Sequence, residues 1–312
     1  MMFRSCSRIA WLLVLVAIDA GAVQSVVLPA WVCAHPDAIY VNGFEAGQIA
    51  VPHDPSHGSG GAYPGDRSRT LHIAGLGSGT QTYYLYVPSD YTPARSWPLV
   101  VALHGVAPYP GATYASDVRD AWVPAAAAGH FIVAAPVGND VIYSNGQPYA
   151  VSWLVPPAPS PNDYDLFAAV RADLEGAYNI ERTRLYGWGF SAGGHVMHAL
   201  GVNRYSSVFN ASTMAGYSIS AGNLAGMACA NLTGTECSQL LAHLPRKIPV
   251  DMHIGNGDPR YQDVVNDYDR FVAEGWGDGQ TIFYTIFVGG HTYSTTDLQQ
   301  AWGNLCRQAV IP

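Results

Sequence analysis

The sequence predicts an α/β fold, in which a mostly parallel sheet of eight strands is covered by helices on both faces. Two observations support this prediction. The 312 residues are 49% apolar and only 12% charged, which is typical of a globular domain with a large core. From residue 70 onward, short β-branched or apolar runs alternate with longer runs of helical periodicity, as expected for strands that are connected through helices.

The alternation defines the expected elements in chain order. Strands are expected at about 70–74, 82–87, 98–103, 131–135, 184–188, 208–213, 249–254 and 281–288. Helices are expected at about 114–128, 164–178, 192–202, 261–274 and 296–309. No helix separates the first two strands, so we expect them to form an antiparallel hairpin at the edge of the sheet. Two long turn-rich segments, 139–162 and 216–247, are expected to overhang the carboxyl ends of the strands, where ligands bind in such sheets.

The first 22 residues have the pattern of a secretory signal peptide. Arg4 and Arg8 precede an apolar run of about ten residues, and Ala20-Gly21-Ala22 provides a small-x-small cleavage site. This run is too short to span a bilayer, although a retained membrane anchor is the alternative interpretation. We therefore expect an extracellular or periplasmic protein, with no membrane attachment after cleavage.

After the signal segment, the chain divides into two parts. Residues 23–69 contain clusters of Pro, Gly and Ser with little periodicity, which favours an irregular N-terminal extension and linker. The regular alternation occupies residues 70–312, which we expect to form one folded domain.

Composition restricts the partners of the chain. The formal net charge is −8 at pH 7, and Lys and Arg form no cluster, so nucleic acid is not an expected partner. The chain has 19 Tyr and 8 Trp, which could line a site for sugar rings or phenolic groups, although most of them are expected to pack in the core. The sequence does not determine the oligomeric state.

Four cysteines follow the signal segment, and an oxidising compartment favours two disulfides. Cys229 and Cys237 are eight residues apart across a turn-rich stretch, which favours their pairing and leaves Cys33 to join Cys306. The other two connectivities stay open at this point. Zinc binding is the alternative use of these residues, but the chain has no Cys-x-x-Cys spacing.

One histidine pair has a spacing that suits a metal. His53 and His57 are four residues apart, as in a helical metal site. The prolines and glycines around them disfavour a helix, however, so we expect loop histidines and no metal site.

Residues 189–193, Gly-Phe-Ser-Ala-Gly, form a Gly-x-Ser-x-Gly pentad between a β-rich run and a helical run. This pattern predicts a sharp strand-to-helix turn that exposes the hydroxyl of Ser191. Glycines are needed on both sides because a Cβ there would clash with the turn. The helix that follows offers free N–H groups, which favour developing negative charge. We therefore predict that Ser191 is a nucleophile, and an ordinary Gly- and Ser-rich loop is the alternative.

A nucleophilic serine needs a base, and the base needs an orienting carboxylate. Asp258 lies in a tight Gly-Asn-Gly-Asp-Pro loop after the seventh strand, and we predict that it is the acid. Asp251, inside that strand, is the nearest alternative, and Asp263 and Asp267 fall in the next helix. His291 follows the last strand in a Gly-Gly-His loop, beyond the acid in the chain, and is predicted to be the general base.

Two further histidines compete for the role of the base. His195 and His198 lie on the helix that follows the serine, where their side chains would point along the helix and not back across the sheet ends. We expect both to be packing or helix-surface residues, with His195 the nearer to the rim of the site.

Acyl transfer also needs hydrogen-bond donors for the negatively charged oxygen of the tetrahedral intermediate, the oxyanion. The backbone N–H of Ala192 is one expected donor. The second is expected in the loop after PLVVALHG, where we predict the N–H of Val106, with Gly105 as the alternative. His104 is expected to hold this loop by a hydrogen bond.

From about Tyr84 to Cys306, the chain resembles the secreted esterases grouped around polyhydroxybutyrate depolymerases, feruloyl esterases and acetylxylan esterases, within the α/β-hydrolase fold. The matching segments are YYLYVPSDY, PLVVALHG, DYDLFAAVRADLEGAYNIERTRLYGWGFSAGG, HIGNGDP and GGHTYS. The resemblance implies that Ser191, Asp258 and His291 are nucleophile, acid and base, which matches the assignment made from the residues alone. It also implies that residues 70–312 are the catalytic domain.

The sequence departs from these families at two places. Val106-Ala107-Pro108-Tyr109-Pro110 stands where they often have a small or cysteine-containing loop, and Tyr293 stands where they often have Trp. The first departure affects the oxyanion donor, and the second affects acyl specificity.

These observations together predict a secreted serine esterase that forms an acyl-enzyme and needs no metal or cofactor. Its substrate is expected to be a small-molecule or polymeric ester, either a hydroxyalkanoate or a feruloylated or acetylated polysaccharide. Four aromatic residues are expected to shape the acyl or alcohol pocket, namely Trp153, Trp188, Tyr109 and Tyr293. A serine peptidase of the same fold is the main alternative, since the same three residues cleave amides. A binding protein without activity is a second alternative, but it would be expected to lack one of them.

Overall fold

An eight-stranded sheet lies at the centre of the molecule. The computed structural model describes residues 23–28, 30–33, 53–62, 64–202, 206 and 208–311. The strands in these ranges are β1 (Gln24–Val27), β2 (Gly65–His72), β3 (Thr80–Val87), β4 (Trp97–Leu103), β5 (Ala107–Pro108), β6 (Ile132–Pro136), β7 (Asp140–Ser144), β8 (Gln147–Ser152), β9 (Ile180–Phe190), β10 (Gly216–Ser220), β11 (Val250–Gly255), β12 (Ile282–Phe287) and β13 (Gln308–Ile311). The helices are α1 (Ala112–Gly129), α2 (Asp163–Ala177), α3 (Ala192–Gly201), α4 (Gly234–Ala242), α5 (Tyr261–Ala273) and α6 (Thr295–Leu305).

The central sheet has the strand order β12-β11-β10-β9-β4-β6-β3-β2. β3 runs antiparallel to both of its neighbours, and the other neighbouring pairs are parallel. Every residue of β4 is buried, and this explains its continuously apolar sequence, since a central parallel strand is covered on both faces. The predicted mostly parallel eight-stranded sheet and its antiparallel edge hairpin are confirmed.

Helices cover the sheet on both faces, as predicted. α1 packs against β6 and α6, whereas α3 packs against β9 and β10. Three of the helices begin at a capping box, in which a polar side chain accepts a hydrogen bond from the first turn and a carboxylate binds back to the cap. The capping residues are Asn162 for α2, Thr233 for α4 and Ser294 for α6.

The structure corrects one expected strand. Residues 208–213 form turns, and the strand that takes this place in the sheet is β10, a few residues later. Side chains hold the turns: the Thr213 hydroxyl donates to the carbonyl of Val208 at 2.8 Å, and the Asn210 side chain accepts from the N–H of Ser212 at 2.8 Å. Polar side chains that bind nearby backbone groups outweigh the β propensity of this stretch.

The two disulfides join the pairs that the spacing favours, Cys33 with Cys306 and Cys229 with Cys237. The first of them lies beside a small antiparallel sheet, in which β1 near the N-terminus pairs with β13 at the C-terminus. Part of the segment that was expected to be irregular therefore forms the strand β1. The first strand of the central sheet, β2, begins at Gly65 and not at residue 70 as expected.

The rest of the N-terminal segment is described only in part. The expected signal peptide, residues 1–22, lies outside the described residues. His53 and His57 lie in irregular chain and not in a helix, and His53 Nδ1 lies 2.6 Å from the buried carboxylate of Glu181. Within the described ranges, no helix has both the length and the apolar character that a membrane span requires.

Candidate active site

Ser191 lies at the sharp turn between β9 and α3. Its φ of 52° and ψ of −115° are outside the regions that a non-glycine residue favours, which costs on the order of 1–3 kcal/mol. The turn is held by a hydrogen bond from the Ser191 N–H to the carbonyl of Ser220 on the neighbouring strand, at 2.9 Å. The strained backbone therefore presents the hydroxyl at the carboxyl end of the sheet.

The glycines of the pentad are required by close contacts of the backbone. A Cβ on Gly189 would lie 2.2 Å from the carbonyl oxygen of Gly193. A Cβ on Gly193 would lie 2.4 Å from the carbonyl oxygen of Leu103 on β4. Both distances are far below van der Waals contact with rigid backbone atoms, so any larger residue would displace the turn that carries Ser191.

Ser191, His291 and Asp258 are hydrogen-bonded in a row. Nε2 of His291 lies 2.8 Å from Oγ of Ser191, and its Nδ1 lies 2.8 Å from Oδ2 of Asp258. The Asp258 side chain is fully buried, and its other oxygen accepts a hydrogen bond from the N–H of Arg260 at 2.8 Å. Because a carboxylate only accepts, Nδ1 carries the proton, and Nε2 is left to accept the proton of the serine.

The loops that carry the acid and the histidine are held together by backbone contacts. They follow the adjacent parallel strands β11 and β12. The Gly257 N–H donates to the carbonyl of Gly289 at 2.7 Å, and a Cβ on Gly255 would lie 2.4 Å from the carbonyl oxygen of Gly290. The glycines on either side allow this approach, which fixes the separation between Asp258 and His291.

The other candidate carboxylates are not hydrogen-bonded to His291. Asp251 faces into the protein from β11 and lies 2.6 Å from Nε2 of His253. Asp263 accepts from the side chain of Asn223 at 3.0 Å. Asp267 accepts from the N–H of Leu224, and burial raises the pKa of its carboxyl to about 7.

The competing histidines on α3 are packing residues. Nδ1 of His198 lies 3.0 Å from the hydroxyl of Tyr217, and complete burial lowers the pKa of His198 to about 3. Nδ1 of His195 lies 3.0 Å from the backbone of Asn223, and burial lowers its pKa also. Neither ring is hydrogen-bonded to Ser191.

The two predicted oxyanion donors belong to the two segments that meet at the serine, α3 and the loop after β4. Ala192 is the first residue of α3, where the helix itself offers no acceptor for the N–H. The loop after β4 also comes close to the serine, since a Cβ on Gly105 would lie 3.2 Å from Cβ of Ser191. Val106 follows in this loop and is half exposed.

His104 fixes the position of this loop. Nδ1 of His104 lies 2.5 Å from the carbonyl oxygen of Gly105, and Nε2 accepts a hydrogen bond from the N–H of Gly138 at 3.0 Å. The indole N–H of Trp153 donates to the carbonyl of His104 at 2.8 Å. Burial lowers the pKa of His104 to about 4, so the ring is neutral at pH 7 and holds the loop through both nitrogens.

The four aromatic residues expected around a pocket have different positions. Trp188 is completely buried in β9 and Trp153 is 5% exposed, so both belong to the core. Both were expected to line the pocket. They are buried instead, because other parts of the fold pack over β9 and over the loop after β8, where these side chains lie. Tyr293 packs on Trp188 at 4.9 Å between ring centroids, and burial raises the pKa of its hydroxyl to about 12. Tyr109 is half exposed.

Sequence reasoning missed Phe190, the residue that precedes the serine. Its ring lies 5.0 Å from the imidazole of His291 and 4.9 Å from the ring of Tyr293. Phe190 therefore forms part of the wall against which the histidine rests. Its place inside the pentad is the only signal in the sequence that could have indicated this role.

Sequence comparisons identify no relative: no protein-family model matches the chain, and no curated protein does. Solved structures match its fold. A ferulic acid esterase is 16% identical, with a TM-score of 0.55 over 78% of this chain and 97% of that one. A poly(3-hydroxybutyrate) depolymerase from Bordetella parapertussis is 20% identical, with a TM-score of 0.52 over 78% of this chain and 89% of that one. This chain has the α/β-hydrolase fold.

A third similar structure, an S-formylglutathione hydrolase from Staphylococcus aureus, extends the comparison. It is 12% identical, with a TM-score of 0.52 over 78% of this chain and 98% of that chain. At these identities the similarity is one of fold. The α/β-hydrolase fold supports many chemistries, so the function has to be argued from the site itself.

Proposed function

We propose that this protein is a serine esterase that hydrolyses carboxylic esters through Ser191, His291 and Asp258. The observation that carries the proposal is the continuous row of hydrogen bonds from the strained serine to the buried carboxylate, with 2.8 Å at each step. A hydroxyl bonded to an oriented imidazole is the arrangement that nucleophilic catalysis needs. The names of the structural neighbours, ferulic acid esterase and poly(3-hydroxybutyrate) depolymerase, agree with this chemistry.

In the first half of the reaction, Oγ of Ser191 attacks the carbonyl carbon of the ester while Nε2 of His291 takes the hydroxyl proton. Asp258 stabilises the imidazolium that forms. The oxyanion of the tetrahedral intermediate accepts hydrogen bonds from the N–H groups of Ala192 and Val106, each of which contributes about 3–4 kcal/mol to such a transition state. The intermediate then collapses, and His291 returns the proton to the departing alcohol.

In the second half, a water molecule attacks the acyl group on Ser191. His291 takes a proton from this water, and a second tetrahedral intermediate forms at the same oxyanion donors. Its collapse breaks the bond to Oγ, and the serine recovers its proton from His291. The products are one alcohol and one carboxylic acid, and the residues of this chain supply every proton transfer without a metal or cofactor.

The printed names of the structural neighbours and the aromatic residues near the site support a proposal for the substrate class. We propose an ester of a hydroxyalkanoate or a feruloyl or acetyl ester of a polysaccharide. Tyr109 and Tyr293 are the two aromatic residues proposed to contact the acyl or alcohol group. Trp153 and Trp188 are buried and act only from the core.

We further propose that the protein is exported and works outside the cytoplasm. Two disulfides support this location, since disulfides persist in oxidising compartments. Residues 1–22 would serve as the signal segment.

Replacement of the nucleophile tests the proposed reaction. Ser191→Ala removes the attacking oxygen, and we expect kcat for p-nitrophenyl acetate to fall by roughly 10⁴- to 10⁶-fold. Labelling by a fluorophosphonate probe is expected to disappear together with turnover. Circular dichroism and thermal unfolding of the variant should match those of the unmodified protein, so that the loss reports on chemistry.

A panel of substrates distinguishes an esterase from a peptidase. We expect turnover of p-nitrophenyl esters, methyl ferulate, acetylated xylan or hydroxybutyrate oligomers, and a much lower rate with peptide anilides. Faster cleavage of peptides than of every ester would make the protein a peptidase. Ester hydrolysis that persists in Ser191→Ala would overturn the mechanism.

A further inference from the structure

A small antiparallel sheet beside the active site carries three strongly exposed tyrosines. In this sheet, β8 pairs with β5 on one side and with β7 on the other. Tyr109, the residue after β5, is 50% exposed, Tyr143 on β7 is 63% exposed, and Tyr149 on β8 is 69% exposed. They are the only aromatic side chains among the exposed large hydrophobic residues of the described chain. We call these three residues the tyrosine platform.

The platform is directly connected to the loop that approaches the serine. Tyr109 follows Gly105 by four residues, so their Cα atoms are at most about 14 Å apart even in a fully extended chain. A Cβ on Gly105 would lie 3.2 Å from that of Ser191. The N–H of Tyr109 donates to the carbonyl of Tyr149 at 3.1 Å, which makes these two residues cross-strand neighbours. A polymer that lies on the platform can thus reach Ser191.

The base of this sheet is rigidly held. The Asp163 carboxylate is fully buried and accepts hydrogen bonds from the Asn139 N–H at 3.0 Å, the Asn139 side chain at 2.6 Å and the Leu154 N–H at 2.7 Å. The Gly138 N–H and the Trp153 indole bind His104 at the end of β4. Tyrosine rings on a fixed base lose little conformational entropy when they bind a ligand.

The chain segment that carries Tyr143 and Tyr149 has no charged side chain beyond Asp140, the first residue of β7. Residues 141–162 contain no Asp, Glu, Lys, Arg or His. The exposed polar side chains of the hairpin are the hydroxyl of Ser144 and the amides of Asn145 and Gln147. A charged polymer would find no opposite charge on residues 141–162, whereas a neutral polymer that is rich in hydroxyl groups would find hydrogen-bond partners of both kinds there.

We propose that the tyrosine platform binds a neutral polysaccharide chain, whose sugar rings stack on Tyr109, Tyr143 and Tyr149 while an ester substituent reaches Ser191. A tyrosine offers an apolar face and a hydroxyl together, which matches a sugar ring that has a C–H face and hydroxyl groups at its edge. The delivery of the ester rests on the proposed function, but the binding of the polysaccharide does not. The platform favours a polysaccharide ester over a polyester, which has no hydroxyl groups along its chain.

The test measures polysaccharide binding without turnover. In the Ser191→Ala background, the dissociation constant for xylan is measured by affinity electrophoresis and by calorimetry. We expect Tyr143→Ala/Tyr149→Ala to weaken binding at least tenfold, and Tyr143→Phe/Tyr149→Phe to bind within about threefold of the parent. Val272→Ala, at a 40% exposed position on α5, is the matched surface control and should bind like the parent.

The second part of the test measures activity in proteins that keep Ser191. We expect the ratio of kcat/KM for acetylated xylan to that for p-nitrophenyl acetate to fall at least tenfold in Tyr143→Ala/Tyr149→Ala. Absence of ester hydrolysis together with tyrosine-dependent xylan binding would reject the proposed function and keep the platform. Ester hydrolysis together with unchanged xylan binding in the alanine variant would reject the platform alone.

Two other occupants would overturn the proposal. If the alanine variant loses activity on hydroxybutyrate oligomers while xylan binding is unaffected, the platform binds a polyester. If light scattering shows a dimer that becomes a monomer in the alanine variant, with xylan binding unchanged, the rings are covered by a second copy of the chain.

Discussion

Two aspartate–histidine pairs lie near the same strand of this protein and have different environments. Asp258 follows β11 and lies 2.8 Å from His291, whose side chain is 37% exposed. Asp251 lies inside β11 and is 2.6 Å from His253, and these two side chains are 0% and 1% exposed. The two pairs have the same residue types and almost the same distance. Neither the residue type nor the distance therefore distinguishes a candidate catalytic pair from a structural one.

The surroundings of each pair account for the difference. In the first pair, the second ring nitrogen faces the Ser191 hydroxyl at the end of the sheet. In the second pair, Nδ1 of His253 has no hydrogen-bond partner among the described residues, while Asp251 also accepts from Ser218 on β10. A position beyond the carboxyl ends of the strands exposes a pair to substrate, whereas a position within a strand buries it.

The largest expected effect is a loss of activity, and it distinguishes Asp258 from Asp251. Asp258→Asn should lower kcat for p-nitrophenyl acetate by about 10⁴-fold, because the amide no longer holds His291 in the tautomer that accepts the serine proton. Thermal unfolding should change little. A reduction of less than tenfold would show that Asp258 does not orient the base.

The matched substitution at the buried pair should affect stability instead. Asp251→Asn leaves His253 without its charged partner, and we expect the free energy of unfolding to fall by about 3–5 kcal/mol. Turnover for each folded active site, counted by fluorophosphonate titration, should stay within threefold. Loss of turnover in correctly folded protein would mean that Asp251 also acts on the site.

A buried histidine without a carboxylate should respond to pH in the acid range. Burial lowers the pKa of His104 to about 4, below the value of about 6.5 expected in the unfolded chain. The unfolded state therefore binds the proton first, and about 3 kcal/mol of stability should be lost as pH falls from 6.5 to 4. Urea unfolding across this range should show a weaker pH dependence for His104→Gln than for the unmodified protein.

The smallest expected effect has the opposite sign and belongs to His253. Burial acts to lower its pKa, but the charge of Asp251 and the hydrogen bond to it outweigh burial and raise the pKa. The stabilisation is thus fully present below the unfolded value of about 6.5 and is lost as pH rises through the folded value. The stability difference between the unmodified protein and His253→Gln should shrink with rising pH, and growth of that difference would contradict the assignment.

Local patterns in the sequence predicted much of the candidate site. The pentad around Ser191 indicated the turn because its glycines are required sterically, and the order of serine, acid and histidine indicated Asp258 and His291. The spacing of the cysteines favoured the pairings that the structure contains. These signals are readable because each depends on a few neighbouring residues.

Other features depend on distant parts of the chain. The strand β10 is short and contains Gly216, which disfavours a strand, and it lies in the sheet because β9 and β11 pair with it on both sides. Trp188 is expected at a pocket from its place before the pentad, but neighbouring layers cover it completely. The contact of Phe190 with His291 likewise joins residues that are a hundred positions apart.

By itself, the sequence determined the alternation of strands and helices, the sharp turn at Ser191 and the chain order of the three candidate catalytic residues. Only the tertiary structure decided that His291 pairs with Asp258 and not with Asp251, and that three tyrosines face solvent while two tryptophans do not. The physical reason is that backbone preference and periodicity act over a few residues. Burial and side-chain partners are set by whichever distant segment packs against them.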